Sequence, residues 1–200
     1  MSTEYDLPAI RQRLERELPR TLYAHCMRVR DEALKLAQRY GLDPTLAEVA
    51  ALVHDAARHL PGAELLGRAK QYSIPVSPLE ERMPLLIHGP VGAEVLRRDW
   101  SITDSELLAA VSCHTTGREQ MTLLDKVLFL ADKLEPAKSA RYPFNGQVRR
   151  KAQENLDGAL LDWLSGEVRR LVDIGAAVHP QMVAARNSLL LAGRKPAEET

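Results

Sequence analysis

The sequence has few cysteines and no long apolar run, and each absence excludes a class of protein. Two cysteines, Cys26 and Cys113, are too few for a disulfide framework, so we expect a reducing compartment such as the cytoplasm. No apolar stretch approaches the roughly 18 residues that a membrane span requires, so no membrane partner is expected. The first ten residues, MSTEYDLPAI, lack a basic stretch followed by an apolar one, and no secretory signal is expected there.

The sequence also lacks net charge. Lysine plus arginine and aspartate plus glutamate both number 27, so the overall charge gives no reason to expect a nucleic-acid partner. Any attraction for an anionic ligand must therefore come from local clustering of basic residues. The 200 residues are 45% hydrophobic and 27% charged, which is typical of a globular protein with a single core. We predict one compact domain over residues 1–192 and a mobile tail over 193–200.

Apolar residues recur at steps of three and four nearly everywhere, and no stretch alternates apolar and polar residues over the length of a strand. This pattern predicts an all-α fold, a single helical bundle. Asp43 and Gly41 have the positions of a helix cap and a helix stop, and Thr103 has capping-box spacing to Glu106. The predicted helices cover 7–18, 22–40, 43–61, 63–71, a segment from about 87 to 100, a segment after Thr103, 122–136, 147–174 and 180–192.

Four polar residues lie at inward or flanking positions of three predicted helices. His25 shares a helix face with apolar residues, the pair His54 and Asp55 follows the apolar run ALV, and Asp132 follows VLFLA. Each has an ordinary explanation on its own, such as a core histidine bonded to a backbone carbonyl. A buried carboxylate is costly, however, unless a cation or hydrogen-bond donors meet it. Imidazoles and carboxylates are natural ligands of iron, manganese and zinc, so the four residues together predict one metal site.

Two more histidines stand at predicted helix ends. His88 precedes Gly89 and a proline at a helix start, and His114 ends a helix, where a cap or the helix dipole would explain each alone. Both are placed where they would face an open side of the metal site. His59, near a helix end, and His179, before Pro180, carry less signal.

The ordered series His, His-Asp, His, His, Asp resembles the HD-domain phosphohydrolases, which are helical enzymes. Longer strings resemble one branch of them, the bacterial symmetrical bis(5'-nucleosyl)-tetraphosphatases, and the likeness extends from about residue 10 to 190. The strings are HDAAR (54–58), LLIHGPVGAEV (85–95), CHTTGREQMTLLDKVLFLADKLEP (113–136) and AAVHPQMVAARNSLL (176–190).

The resemblance implies hydrolysis of diadenosine tetraphosphate, a dinucleoside polyphosphate, into two ADP by water that a metal activates. Iron is the implied cofactor, with manganese or cobalt as alternatives, at one or two ions per chain. The implied metal ligands are His25, His54, Asp55 and Asp132. The implied catalytic residues are Asp55, His88 and His114, and the last two would contact phosphate or hold a second ion.

The resemblance also implies a set of substrate-binding residues. Beside His88 and His114, these are Arg58, Lys133, Lys138 and the loop Gly175, Ala176, Ala177, Val178, His179 and Pro180. Arg118 is a further candidate for the polyphosphate, although exposed basic residues are commonplace. The sequence departs from the family pattern near the nucleotide, with Leu22 where an arginine is frequent and Lys133 where a tyrosine is common.

Three alternatives remain open from the sequence. The same site would serve hydrolysis of another nucleotide, namely a deoxynucleotide, a cyclic nucleotide or an alarmone. A helical module that binds nucleotides without turnover is a second alternative, and a purely structural helical adaptor is the third. A homodimer is also open, because apolar helix faces serve dimerisation and core packing equally well.

Overall fold

The structure, a computed structural model, describes residues 5–138 and 142–192. Within these ranges every regular element is a helix, which confirms the all-α prediction. In the same ranges, no helix has the length and apolar character needed to cross a lipid bilayer. The predicted mobile tail, 193–200, lies outside the described residues, so its mobility stays a prediction.

Eleven α-helices and two short 3₁₀-helices follow one another along the described chain. The α-helices are α1 (Leu7–Glu17), α2 (Arg20–Tyr40), α3 (Pro44–Val53), α4 (Gly62–Gln71), α5 (Pro78–Arg82), α6 (His88–Asp99), α7 (Ser105–Cys113), α8 (Leu123–Leu134), α9 (Asn145–Lys151), α10 (Leu156–Asp173) and α11 (Pro180–Ala192). The 3₁₀-helices are Pro84–Ile87 and Pro136–Lys138.

Helix α8 is the centre of the bundle. Ten of its twelve residues are buried, and α2, α3, α7, α9 and α10 all pack against it. Its four charged residues, Asp125, Lys126, Asp132 and Lys133, recur after seven residues and so lie on one side of the helix. Neighbouring helices enclose most of that side too, and Asp132 and Lys133, near the end of the helix, are both buried.

A smaller apolar cluster, which we call the satellite cluster, lies apart from the main core. It consists of Ala57, Leu65, Ala69, Ile87 and Val91. These residues pack four segments together, namely the turn after α3, helix α4, the first 3₁₀-helix and helix α6. The satellite cluster therefore fixes the segment just before His88 against the segment just after Asp55.

Several predicted helix ends are confirmed. Gly41 has a φ of 70°, the left-handed conformation that glycine adopts without strain, and it ends α2. The carboxylate of Asp43 accepts hydrogen bonds from the backbone N–H groups of Thr45 and Leu46 and so caps α3. The predicted short helix over 63–71 is α4.

Other predicted boundaries are wrong. The helix predicted over 43–61 ends at Val53, because tertiary packing buries residues 54–57 in a turn although no glycine or proline stops the helix there. Asp104, not Thr103, caps α7, since its carboxylate accepts from two backbone N–H groups of the first turn. The group of helices predicted over 147–174 consists of α9 and α10, and Asn155 caps α10 by accepting from the N–H of Gly158.

Candidate metal centre and substrate cavity

Three elements bring the first group of polar side chains together. His25 lies on α2, His54 and Asp55 follow α3, and Asp132 lies on α8. The Nε2 atom of His25 is 3.1 Å from Oδ1 of Asp132 and 3.4 Å from Oδ2 of Asp55. The Nε2 atoms of His25 and His54 are 3.3 Å apart. We call His25, His54 and Asp132 the first half-site.

His88 and His114 are the remaining two histidines of the series. They form the second half-site, which lies beside Oδ1 of Asp55. The Nε2 atoms of His88 and His114 are 3.0 Å from each other, and lie 3.0 and 3.4 Å from Oδ1 of Asp55. Gly89 permits this approach of α6 to α7, because a Cβ atom there would lie 2.7 Å from the backbone oxygen of Ser112. Asp55 therefore stands between the two half-sites and faces each of them with one oxygen.

Three of the four histidines are oriented in the same way. In each of them Nδ1 donates to the backbone carbonyl three residues earlier, which leaves the Nε2 lone pair directed at the cluster. The bonds run from His54 to Ala51 at 2.7 Å, from His88 to Leu85 at 2.5 Å and from His114 to Val111 at 2.7 Å. All three histidines stand at or beside a helix end, where the turn of the backbone places the carbonyl within reach.

His25 has a different partner. Its Nδ1 lies 3.3 Å from Oε1 of Glu135, a carboxylate that is only 2% exposed. Arg28 and the backbone N–H of Ala137 donate to the other oxygen of Glu135, at 2.8 and 2.9 Å. Burial raises the pKa of Glu135, but these donors outweigh it and lower the pKa below its ordinary value. Glu135 is therefore an ionised carboxylate held in place behind His25.

The donor set fits a cation. Both oxygens of Asp55 are buried and receive no hydrogen bond within the described part of the chain. The nearest atoms are imidazole Nε2 atoms, whose lone pairs point the same way, so carboxylate and imidazole lone pairs face each other at short range. Such an arrangement is costly unless positive charge stands among them. Imidazole nitrogens and carboxylate oxygens at this spacing are the ligands of Fe, Mn, Co or Zn.

Without a metal, protons carry the positive charge, and they do so unequally. Burial lowers the pKa of His54, but Asp55 and Asp132 outweigh that effect and raise the pKa to about 9. Burial, together with the charges of His88 and His54, lowers the pKa of His114 to about 3. Positive charge is therefore more stable on His54 of the first half-site than on His114 of the second.

A cavity of about 270 Å³ opens beside the cluster. Two lysines connect the cavity to Asp132: Lys133 donates to its Oδ2 at 2.6 Å, and Lys138 donates to its Oδ1. Although burial raises the pKa of Asp132, the two lysines hold it well below its ordinary range. The lining residues are Arg58, Met83, Leu85, Leu86, His88, Thr115, Thr116, Asp132, Lys133, Lys138, Tyr142, Trp163, Glu167, Arg170, Leu171, Ala177, His179 and Met182.

Two of the six residues of the predicted nucleotide loop, Ala177 and His179, line this cavity. The other four, Gly175, Ala176, Val178 and Pro180, are not among its lining residues. Gly175 has a backbone role at this point, with a φ of 66° in the left-handed conformation that ends α10.

Arg118, a weaker candidate for the polyphosphate, is engaged elsewhere. Its guanidinium donates to Oδ2 of Asp125 through two nitrogens, at 2.7 and 2.6 Å. The carboxylate of Asp125 also forms the capping box of α8 together with Thr122. Arg118 thus fixes the start of α8, and it is not among the residues that line the cavity beside the cluster. Arg58, in contrast, lines that cavity, with its Nε 3.5 Å from Oδ2 of Asp55.

Sequence reasoning missed several residues of the site. Thr115 places its hydroxyl 3.2 Å from Nε2 of His114 and 3.3 Å from Nε2 of His88. Glu167 and Arg170 form an ion pair at 2.6 Å in the cavity wall. The sequence contained one indication of Glu135: it follows Asp132 by three residues, and residues at that spacing are neighbours on a helix. The residues of α10 gave no such signal, because their spacing is that of an ordinary amphipathic helix.

The chain is similar to proteins of one family. The HD domain matches residues 22–137. A Bacillus subtilis protein named symmetrical bis(5'-nucleosyl)-tetraphosphatase is 33% identical over 95% of this chain and 98% of its own length. A protein of the same name from Halalkalibacterium halodurans is 35% identical over 84% of this chain and 89% of its own length.

A solved structure shows the same fold. It is the crystal structure of a Clostridium acetobutylicum protein described as a predicted HD superfamily hydrolase involved in NAD metabolism, with a TM-score of 0.88. The two chains are 31% identical, and the match covers 94% of this chain and 98% of that one. With the matching domain and the clustered histidines and aspartates, these likenesses show that the chain belongs to the HD-domain family, in the group that contains the symmetrical bis(5'-nucleosyl)-tetraphosphatases.

Proposed function

We propose that this HD-domain hydrolase cleaves diadenosine tetraphosphate symmetrically into two ADP, with a transition metal bound at the cluster. The observation that carries the proposal is the position of Asp55, a buried carboxylate that stands among four histidines and accepts no hydrogen bond from any residue that the structure describes. The names of the related proteins support the choice of substrate. Membership of the HD family implies binding of a divalent metal, and the donor set of the cluster is consistent with it.

The first half-site and Asp55 would hold the ion. His25 and His54 offer imidazole nitrogens and Asp55 and Asp132 offer carboxylate oxygens, and each Nε2 lies 3.1–3.7 Å from an oxygen of both carboxylates. When bound, such a cation supplies Lewis acidity that activates water for attack on phosphorus and stabilises charge on the phosphoryl oxygens. We propose iron, with manganese or cobalt as alternatives, because ligands of this type accept all three.

The second half-site has two proposed roles, which depend on the number of ions. His88 and His114 would bind a second ion through Nε2 together with Oδ1 of Asp55. With one ion bound, the same nitrogens, once protonated, would donate a hydrogen bond to a phosphate oxygen or pass the proton to the leaving group. In either role the backbone bonds at Nδ1 keep Nε2 directed at the reacting phosphate.

Basic residues at the cavity would offset the charge of the polyphosphate. Lys133 and Lys138 meet Asp132 at one side of the cluster, and Arg58 meets Asp55 at the other. Preorganised cations at the position where charge develops are a large contribution to catalysis of this kind. Ala177 and His179 would lie beside the nucleoside of the bound half.

The test is an assay of the purified protein with a panel of nucleotides, followed by chromatography of the products and elemental analysis of the same sample. We expect ADP as the sole product from diadenosine tetraphosphate, with one or two transition-metal ions per chain. Removal of the metal by a chelator should abolish hydrolysis, and re-addition should restore it. Full activity of the metal-free protein would refute the proposal.

Other outcomes of the same panel distinguish the alternatives. Hydrolysis of a deoxynucleotide, a cyclic nucleotide or an alarmone in preference to the dinucleotide would move the proposal to that substrate. Binding that raises the melting temperature without product, whichever divalent metal is supplied, would indicate a nucleotide-binding module. A homodimer and a cytoplasmic location stay predictions.

A further inference from the structure

The cavity beside the cluster has two walls that come from different parts of the fold. One wall belongs to α10 and to the 3₁₀-helix after α8, and it carries Trp163, Arg170 and Lys138. The other wall belongs to the segment before α6 and carries Met83 and Leu85. The metal-binding cluster lies where the two walls meet, since both His88 and Asp132 contribute to the lining.

The cavity is too small for the whole proposed substrate. Its volume is about 270 Å³. Pockets that enclose one drug-sized ligand measure about 300–1,000 Å³. A molecule with two nucleosides and four phosphates exceeds one such ligand, so the cavity encloses at most one nucleotide half. The second half must therefore lie against the surface next to the cavity mouth.

Met83 and Leu85 provide an apolar surface at that place, which we call the apolar ledge. They are 48% and 50% exposed, yet both line the cavity. Single exposed apolar residues are ordinary, but these two lie on the rim of the same cavity, where they offer contact to an apolar group. The ledge is also well anchored, because Ile87, two residues further, is fully buried in the satellite cluster with Ala57.

Arg58 connects the apolar ledge to the cluster. It follows Ala57 of the satellite cluster, lines the same cavity and lies 3.5 Å from Asp55. Its side chain is 35% exposed, so the guanidinium remains available to an anion. The cavity therefore combines a cation beside the cluster with an apolar surface on its rim, which are the features that a phosphate and a nucleoside base require.

We propose that the apolar ledge of Met83 and Leu85 is the subsite for the base of the second nucleoside, with Arg58 binding a phosphate of that half. The assignment rests on the proposed function. The face of a purine base is flat and apolar, and the flexible thioether of a methionine adapts well to such a surface. The subsite thus selects substrates with a second nucleoside over those that end in phosphate.

The experiment compares the double variant Met83→Ala/Leu85→Ala with the wild type on two substrates. One is diadenosine tetraphosphate, and the other is adenosine 5'-tetraphosphate, which lacks the second nucleoside and is measured as a substrate or as a competitive inhibitor. We expect KM for the dinucleotide to rise about 10-fold, since apolar contact with one base is lost. The constant for adenosine 5'-tetraphosphate should stay unchanged. The Leu85 carbonyl that orients His88 is backbone and is kept in the variant.

The control is the double variant Val183→Ala/Leu191→Ala on α11. These side chains are 38% and 71% exposed and do not line the cavity, so neither constant should change. An equal effect of the ledge variant on both substrates, or no effect on either, overturns the proposal. Failure of the proposed function is seen separately, as absence of dinucleotide hydrolysis by the wild type with any metal. Thermal unfolding of both variants should match the wild type, because exposed substitutions change stability little.

Discussion

The two half-sites share Asp55 but differ in charge and in support. The first half-site adds the carboxylate of Asp132, and Glu135 accepts from His25 behind it. The second half-site has no carboxylate of its own, and its two histidines donate to backbone carbonyls. The pKa values follow this difference, since the pKa of His54 is raised to about 9 and that of His114 is lowered to about 3.

The difference indicates a division of roles. On the proposed assignment, the first half-site holds a cation more tightly, because it adds the carboxylate of Asp132 to that of Asp55, whereas the second half-site adds only imidazoles and would hold an ion more weakly. Similar residue types therefore give different chemistry, because the carboxylates behind and beside the histidines are unevenly distributed. On the proposed assignment, the first half-site fills first.

The largest expected effect comes from Asp55→Ala, which removes the carboxylate that the half-sites share. We expect both to lose metal, and kcat/KM to fall by at least about 1,000-fold, because the Lewis acid contributes several kcal/mol. His114→Ala should keep the ion of the first half-site. Elemental analysis and kinetics of the two variants test whether the two half-sites differ. Equal loss of metal from His114→Ala and Asp55→Ala would contradict that difference.

A smaller effect is expected from Glu135→Ala, which affects the first half-site alone. Loss of the partner of His25 should weaken metal affinity about 10- to 100-fold, the usual range when the residue behind a metal ligand is removed. Glu135→Gln keeps an acceptor for Nδ1 and should lose less. Competition with a chelator measures the dissociation constant.

Glu32→Gln is the matched control for this prediction. Glu32 is also a buried glutamate, 7% exposed, but it pairs with Arg149 and Lys35 away from the cluster. The Glu32→Gln substitution should lower the melting temperature of the protein without changing the metal dissociation constant. If the Glu32 and Glu135 variants weaken metal binding equally, the effect is one of stability and not of positioning.

A further prediction tests the second half-site through the backbone, by its effect on stability. Gly89→Ala would force α6 away from α7, where the new Cβ atom meets the oxygen of Ser112 at 2.7 Å. We expect a loss of about 1–3 kcal/mol in the free energy of unfolding, with His88 and His114 separated. Gly67→Ala, in α4, has no atom within 4 Å of the new Cβ atom and should gain about 0.5–1 kcal/mol. Denaturant unfolding measures the free energy of unfolding of both variants. A Gly89→Ala variant as stable as the wild type would contradict the prediction.

Local sequence signals predicted most of the helices and failed where packing decides. Gly41 and Asp43 act within one turn of the chain, so their roles are readable from the sequence. The end of α3 at Val53 depends instead on what surrounds residues 54–57. The same limit applies to the site. The series of histidines and aspartates stands out in the sequence, whereas Glu167 and Arg170 look like any exposed ion pair on a helix.

The sequence by itself determined that this chain is helical and that several histidines and aspartates interrupt its apolar faces, because helix periodicity and capping act over a few residues. Only the tertiary structure decided that Asp55 stands between two half-sites, that Glu135 supports one of them, and that a cavity with two unlike walls opens beside them. Those relations join residues far apart in the chain, and their distances depend on how whole helices pack against α8.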